Sequence, residues 1–469
     1  MSKSLYELLK SDLPRRLPLH MPGHKRNAPL APYLSGLGAA LDVTEIEGFD
    51  NLHAPEGILK EGMERAARLY HAHRSFYLVN GSTGGILAGI RALSAWGDKV
   101  LMQRASHLSV YQAVALCGLR PVYLYPGVDP EYGAPLSLRP ESLEKALSDH
   151  PDTRLLVLTC PSYEGVLSDL DALVAIAHAR GVRVLVDAAH GAHLGLSALF
   201  PKGAVRSGAD IVIHSLHKTL PSLTQTALAH AADAETAGRL SEQLDVFQTS
   251  SPSYLLMASI DGCLRLMEER GEELFQAWQA RLDAFRALAG NLSRFRVFGL
   301  EHLPQGVFEL DPSKILIGCA DSGISGARLS ETLRLRFGID LEMAGPLSAL
   351  AMTGMGDADE ALPRLYRALS EIEKDLPGGK AEAALPLPEA EALLVPGEAL
   401  ILPYELIPED AAAGRICAEF VTVYPPGAPL LVPGERISGE ALAALRGAQL
   451  TRSRSKGQSD RIAVLKACD

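Results

Sequence analysis

Lys218 is the residue of this chain whose neighbours could make it reactive. It closes the stretch Asp210-Ile211-Val212-Ile213-His214-Ser215-Leu216-His217-Lys218, with Gly208 as a turn signal before it. The apolar run is β-branched and too short for a helix, so it reads as a buried strand. A lysine directly behind such a strand lies at the carboxyl edge of a sheet, where open α/β folds bind their ligands. Ser215 and His217 add groups that can hold a phosphate. Lysine, phosphate donors and a sheet edge together point to a Schiff base with pyridoxal phosphate (PLP). Taken alone, Ser-x-His-Lys also fits a solvated lysine after a core strand.

Three further strand ends carry polar groups suited to the same chemistry. Asn80-Gly81-Ser82-Thr83-Gly84-Gly85 joins a strand to a helix. Its small residues let backbone N–H groups face an anion, and the hydroxyls of Ser82 and Thr83 add donors. An ordinary glycine-rich turn is the competing reading. Asp187 closes the most apolar strand, Val182 to Asp187, and a carboxylate there favours a protonated pyridine nitrogen. His107 follows the strand ending at Met102, where an imidazole can stack on a cofactor ring or simply occupy a loop. Asp187, His190 and His193 are also spaced as D-x-x-H-x-x-H. No further ligand cluster follows and a lysine site lies close behind, so no metal is expected. His20, His24 and His53 stand among prolines and glycines and read as packed or capping residues. The order phosphate turn, stacking residue, aspartate, lysine is far more specific than any one member.

The elements that must position these groups alternate strand and helix between about residues 61 and 265, the signature of a mainly parallel sheet. Strands are expected at 76–79, 99–102, 154–158, 182–187 and 210–213. Helices are expected at 84–95, 110–117, 169–180 and 234–244, and a further pair at 252–271 and 274–288. Residues 1–60 form an N-terminal arm, rich in turn formers after a short amphipathic helix at Leu5 to Leu9. The large PLP-binding domain spans 61–265, a smaller α+β domain 266–375 and a C-terminal subdomain 376–469, with a Pro/Gly/Ala linker at about 376–396.

The chain has 469 residues, 47% hydrophobic and 22% charged, and a net charge of −11. That is an ordinary globular composition, with no electrostatic reason to bind nucleic acid or an anionic membrane and a weak attraction for a cationic substrate. The six cysteines are scattered, which suits reduced thiols in the cytoplasm. The N-terminus lacks the apolar core of a signal peptide, and no apolar run approaches the roughly 20 residues of a membrane helix.

The sequence resembles the Orn/Lys/Arg decarboxylases of the aspartate aminotransferase-like PLP fold type I, especially the short Gram-positive branch. The likeness rests on His20-Met21-Pro22-Gly23-His24-Lys25, Thr44 through Gly57, Val79 to Gly84, Asp187 to His193, Ser215 to Gln225, and Tyr424-Pro425-Pro426-Gly427-Ala428-Pro429 with Pro433-Gly434-Glu435. It implies Lys218 as the Schiff-base lysine, Asp187 at the ring nitrogen, His107 stacked on the ring and His190 near the phenolic oxygen. Ser82, Thr83, Ser215 and His217 would surround the phosphate. The implied activity is decarboxylation of a basic amino acid, arginine first, in a homodimer or higher oligomer serving polyamine biosynthesis. Where the family usually has His-Lys-Ser this chain has His107-Leu108-Ser109, and Asp-Glu-Ala-His becomes Asp187-Ala188-Ala189-His190.

The substrate's distal cation needs a carboxylate partner, because an unpaired buried charge is costly. Glu435, at the end of the Pro-Gly-Glu turn, is the candidate; a surface glutamate after a turn is the alternative. Two other functions compete with decarboxylation: another PLP reaction on the same scaffold, such as aminotransfer or aldol cleavage, and a catalytically silent binding protein.

Overall fold

The computed structural model describes residues 3–376, 378–380, 389, 391–423, 427–445, 450–458 and 460–466. Tyr424, Pro425 and Pro426 of the late proline motif, Cys468 and much of the expected linker lie outside the described residues.

The first two-thirds of the chain runs α1 (Leu5–Asp12), α2 (Ile58–Tyr70), β1 (Arg74–Leu78), α3 (Gly81–Leu93), β2 (Lys99–Gln103), α4 (Leu108–Leu116) and β3 (Arg120–Leu124). It continues with α5 (Pro140–Asp149), β4 (Thr153–Thr159), β5 (Val166–Leu167), α6 (Leu170–Ala179), β6 (Arg183–Asp187), β7 (Ile211–Ser215), α7 (Leu216–Thr219), β8 (Ala227–Ala231), α8 (Ala234–Phe247) and α9 (Tyr254–Ala289).

Two compact units divide the chain. One comprises residues 1–93, 185–280 and 354–357, the other 94–184, 281–353 and 358–469. In the first, β1, β8, β7 and β6 lie side by side. β6 and β7 are parallel, and β8 runs antiparallel to both β7 and β1. In the second, β2 is flanked by β3 and β4, both parallel to it. The second unit also holds a four-stranded antiparallel sheet built on Lys314–Gly318 and Ser348–Met352. Two small sheets follow, one joining Tyr404–Pro408 to Arg461–Leu465 and one centred on Val421–Val423, over a core that includes Cys417, Val421 and Ile462.

The parallel pairing suits the sequence. β6 and β7 are continuous runs of Val, Leu and Ile, buried along almost their whole length, as strands covered on both faces must be. α3 lies close against β1, β6 and β7 at two glycines. A Cβ at Gly85 would stand 2.5 Å from Leu78 Cδ1, and one at Gly89 would stand 2.6 Å from Leu185 Cδ1. Overpacking of this kind costs about 1–3 kcal/mol. Part of the glycine content read as a phosphate turn therefore serves helix–sheet contact.

One expectation changes and two strands are added. The helices expected at 252–271 and 274–288 are one helix, α9, which runs through Gly271, since a single interior glycine costs a helix only about 1 kcal/mol. β8, Ala-Leu-Ala-His-Ala, was not visible in the residue pattern, since alanine is a weak strand former. Pairing on both sides buries it all the same. β3, Arg-Pro-Val-Tyr-Leu, carries a proline that argues against a central strand, and the structure places it beside β2 alone.

Candidate active site

The pairing of β1, β8, β7 and β6 brings four chain ends to one edge of the first unit. Leu78 and Ser215 are both registered with Ala227, and Asp187 pairs with Ile213. Asn80 to Thr83, Asp187, Ser215 and Lys218 thus meet at that edge, although more than 130 residues separate the first from the last.

Each side chain has a local reason for its place. Gly81 opens α3 at φ 71°, a left-handed conformation that favours glycine. That turn carries Ser82 into the edge, where its Oγ lies 2.8 Å from Ser215 Oγ. Thr83, one residue on, is exposed. Ser215 is fully buried and ends β7, and the single turn of α7 then carries His217 and Lys218. Lys218 Nζ stands 2.9 Å from His190 Nε2. An ammonium can only donate, so His190 accepts at Nε2 and its Nδ1 carries the proton. His217 Nδ1 lies 3.0 Å from the Thr226 carbonyl, and burial, aided by the charge of Lys218, pulls its pKa down.

Asp187 is 5% exposed, and its Oδ1 accepts the Ala189 N–H at 3.1 Å. It forms no ion pair among the described residues. A buried carboxylate without a cation is costly, and a ligand that brings a cationic ring nitrogen removes the cost. This observation fits the residues to PLP.

His107 and Glu435 belong to the second unit. His107 stands four residues beyond β2 and caps α4: its Nδ1 accepts the Ser109 N–H at 3.1 Å and lies 2.8 Å from Ser109 Oγ. Glu435 is 2% exposed, so the surface reading of this residue is excluded. Arg104 Nη2 donates to its Oε2 at 3.3 Å and the Val432 N–H at 3.0 Å. Burial pushes the Glu435 carboxyl up, and Arg104 pulls the other way.

Among the described residues no cluster of three or more His, Cys, Asp or Glu could hold a metal. The rings of the D-x-x-H-x-x-H stretch are engaged otherwise: His190 meets Lys218, and His193 packs on Trp278 and Phe200.

The match to known proteins decides the family. Residues 18–361 match the model of the Orn/Lys/Arg decarboxylase major domain, and residues 400–453 that of the family's C-terminal domain. The chain belongs to the Orn/Lys/Arg decarboxylases. It is 34% identical over 452 residues to an arginine decarboxylase of Bacillus subtilis, covering 94% of this chain and 92% of that one. Among solved structures, lysine decarboxylase A from Pseudomonas aeruginosa superposes with a TM-score of 0.82 at 21% identity, covering 98% of this chain and 80% of the other. A ureidoglycine-glyoxylate aminotransferase from Bacillus subtilis superposes with a TM-score of 0.55 at 16% identity, covering 69% and 86%. The fold is that of the aspartate aminotransferase-like PLP enzymes, and the decarboxylase acts on a basic amino acid with PLP as cofactor.

Sequence reasoning assigned no role to several residues near this edge. Gln225, at φ 83°, donates through Nε2 to the Val79 carbonyl at 2.5 Å and so ties the turn before β8 to the end of β1. Gly354, in a segment that returns from far along the chain, has its Cβ position 3.6 Å from the Thr219 carbonyl. Gln225 closes the Ser215 to Gln225 motif, but the residue pattern gave it no role, because its hydrogen bond to Val79 depends on a turn conformation that the sequence does not show. Behind the edge, on the face of β7 away from α3, Ser75 Oγ lies 2.7 Å from His230 Nδ1 and His230 Nε2 lies 3.1 Å from His214 Nδ1. Alternation along β7 put His214 there, but its partners come from other strands.

Proposed function

We propose that this decarboxylase converts arginine to agmatine and carbon dioxide. The observation that carries the choice of arginine is the 34% identity, over 94% of the chain, to an enzyme named arginine decarboxylase. The lysine decarboxylase of similar fold shares 21%. Measuring carbon dioxide release and products from L-arginine, L-lysine and L-ornithine tests it. A higher kcat/KM for lysine or ornithine would overturn the assignment.

The same reading assigns the side chains. Lys218 is the lysine that bonds the cofactor, with His190 setting the position of its Nζ. Asp187 holds the proton on the ring nitrogen, Ser82, Thr83, Ser215 and His217 hold the phosphate, and His107 stacks on the ring. PLP, when bound, supplies a sink for the electron pair released at Cα as carbon dioxide departs. Ser215 reaches the phosphate region already hydrogen-bonded to Ser82, so two donors are oriented before a ligand arrives. His107, with Nδ1 accepting from Ser109, presents Nε2–H and a ring held against rotation. Glu435 is assigned to the substrate's guanidinium. Its Oε2 is shared with Arg104, so the assignment requires one carboxylate to serve two cations.

We place the enzyme in polyamine biosynthesis in the cytoplasm, as a homodimer. Five buried free cysteines suit a reducing compartment. In the N-terminal arm Leu17, Leu19, Met21, Leu30, Tyr33 and Leu37 are 65–87% exposed beside Arg15, Arg16, Lys25 and Arg26. This stretch of the arm, residues 15–37, is apolar with four basic residues and no acidic one, and on a chain of net charge −11 it is complementary to a second copy. Light scattering on the purified enzyme measures the state; a monomer at micromolar concentration would remove the dimer.

A further inference from the structure

A cavity of about 460 Å³ opens in the first unit at the edge of the sheet opposite Lys218. It lies at the amino end of β7, where Gly208, Ala209 and Val212 line it, and beside the chain entering β1. Its basic lining is His71, His73, Arg206 and His230, and no carboxylate lines it. For a chain of net charge −11 this is an inverted local balance. Asp210, next to the lining Ala209, is 5% exposed and is not part of the lining.

The basic groups are available. His71, His73 and Arg206 are all exposed. Arg206 makes one marginal contact, Nη2 to the Gly195 carbonyl at 3.4 Å, and no ion pair among the described residues. The rings of His71 and His73 make no hydrogen bond among the described residues. His230 differs: it is 1% exposed and both its nitrogens are engaged, by Ser75 and His214, so it supplies a wall and no charge. Val205 and Val212 make the rest of the lining partly apolar. The volume falls in the range of small-molecule sites, roughly 300–1,000 Å³, and exceeds what a bare anion fills.

We propose that this cavity binds a phosphate monoester with a small apolar body. The guanidinium fork of Arg206 matches a phosphate, the two imidazoles donate to its remaining oxygens, and Val205 with the small apolar residues of the lining meets the organic part. A monocarboxylate would bring a single negative charge to a rim with up to three positive ones.

The test uses the PLP-saturated enzyme, with phenyl phosphate, inorganic phosphate and phenol as probes in titration calorimetry while the cofactor's absorbance is followed. Phenyl phosphate is expected to bind more tightly than inorganic phosphate, phenol not measurably, and the cofactor band to stay unchanged. Arg206→Gln/His73→Gln should weaken phenyl phosphate binding by about ten- to a hundred-fold, the effect of losing hydrogen bonds to a charged group. Both positions are exposed, and Arg206→Lys, which keeps the charge but loses the fork, should give an intermediate affinity. No binding to the wild-type enzyme, equal affinity in the double variant, or loss of the cofactor band as phosphate binds would each overturn the proposal. The last would place the phosphate in the cofactor's own site.

Discussion

Asp187 and Glu419 are both buried carboxylates, 5% and 0% exposed, and neither forms an ion pair with a lysine or arginine among the described residues. Their surroundings differ completely. Glu419 Oε2 accepts the N–H groups of Arg454 and Ser455 at 2.9 and 3.0 Å. Its Oε1 accepts from Ser455 Oγ and the Ala463 N–H at 2.6 and 2.7 Å. Four neutral donors compensate that charge, and the glutamate knits the strand Arg461–Leu465 to the segment before it. Asp187 has one donor, the Ala189 N–H. A saturated carboxylate is part of the framework; one left short of donors at a strand end is a place for a ligand's cation. Glu435, held by Arg104, stands between the two.

The comparison breaks most decisively at the residue beside Asp187's edge. Lys218→Ala should bring carbon dioxide release below detection and remove the visible band of lysine-bound cofactor, with the unfolding midpoint little changed. A variant that keeps both the band and full turnover would dissolve the site.

Glu419→Ala should act on stability alone. Stranding these donors, three buried and one half-buried, costs about 1–3 kcal/mol for each one that water cannot reach, so a loss of about 3 kcal/mol or more is expected in denaturant titration. Asp187→Asn should reverse the pattern: kcat falls about 10²–10³-fold, equivalent to about 3–4 kcal/mol, while the unfolding midpoint stays close to wild type. If Asp187→Asn unfolds the protein and leaves the rate of the surviving fraction intact, the two carboxylates are of one kind.

Glu435→Gln sharpens the middle case. Recognition of the substrate's cation predicts a KM raised about ten-fold or more for arginine with kcat and the cofactor band retained. A purely structural partner of Arg104 predicts an unchanged KM and a lower unfolding midpoint, since Arg104 would be left buried without a counter-charge.

The effect that is smallest at neutral pH, and grows only on acidification, is that of two buried histidines. Burial, with His193 adding to it, pulls His214 down to about 3, and burial pulls His230 well below the usual imidazole range. Both are bases whose folded pKa is depressed. Their contribution is complete above about pH 6.5, where the unfolded imidazoles are neutral too, and is lost as pH falls from there toward 3. Each should remove about 1.4 kcal/mol per pH unit over that window. His214→Leu/His230→Leu should flatten the acid limb of the stability profile; an unchanged limb would show that other groups govern it.

Residue order alone determined that this chain is an α/β protein with a lysine, an aspartate and a glycine-rich turn at strand ends. Those are properties of short segments: a β-branched run marks a buried strand, and the polar residue that follows marks its edge. The motifs around Lys218, Asp187 and Gly427 also determined the family, because their types and order recur together. Partnership was decided only in the tertiary structure. Nothing within ten residues of Glu435 says that Arg104 will meet it, or that Glu419 will be saturated while Asp187 is left short of donors. Nor does any local pattern show β8 to be a strand, His230 to be hydrogen-bonded to His214, or His71, His73 and Arg206 to ring one cavity. Those facts depend on which segments the fold brings together, from 16 residues apart for His214 and His230 to 331 for Arg104 and Glu435. The charge balance of a buried site is a sum over neighbours in space, which local patterns of residues do not carry.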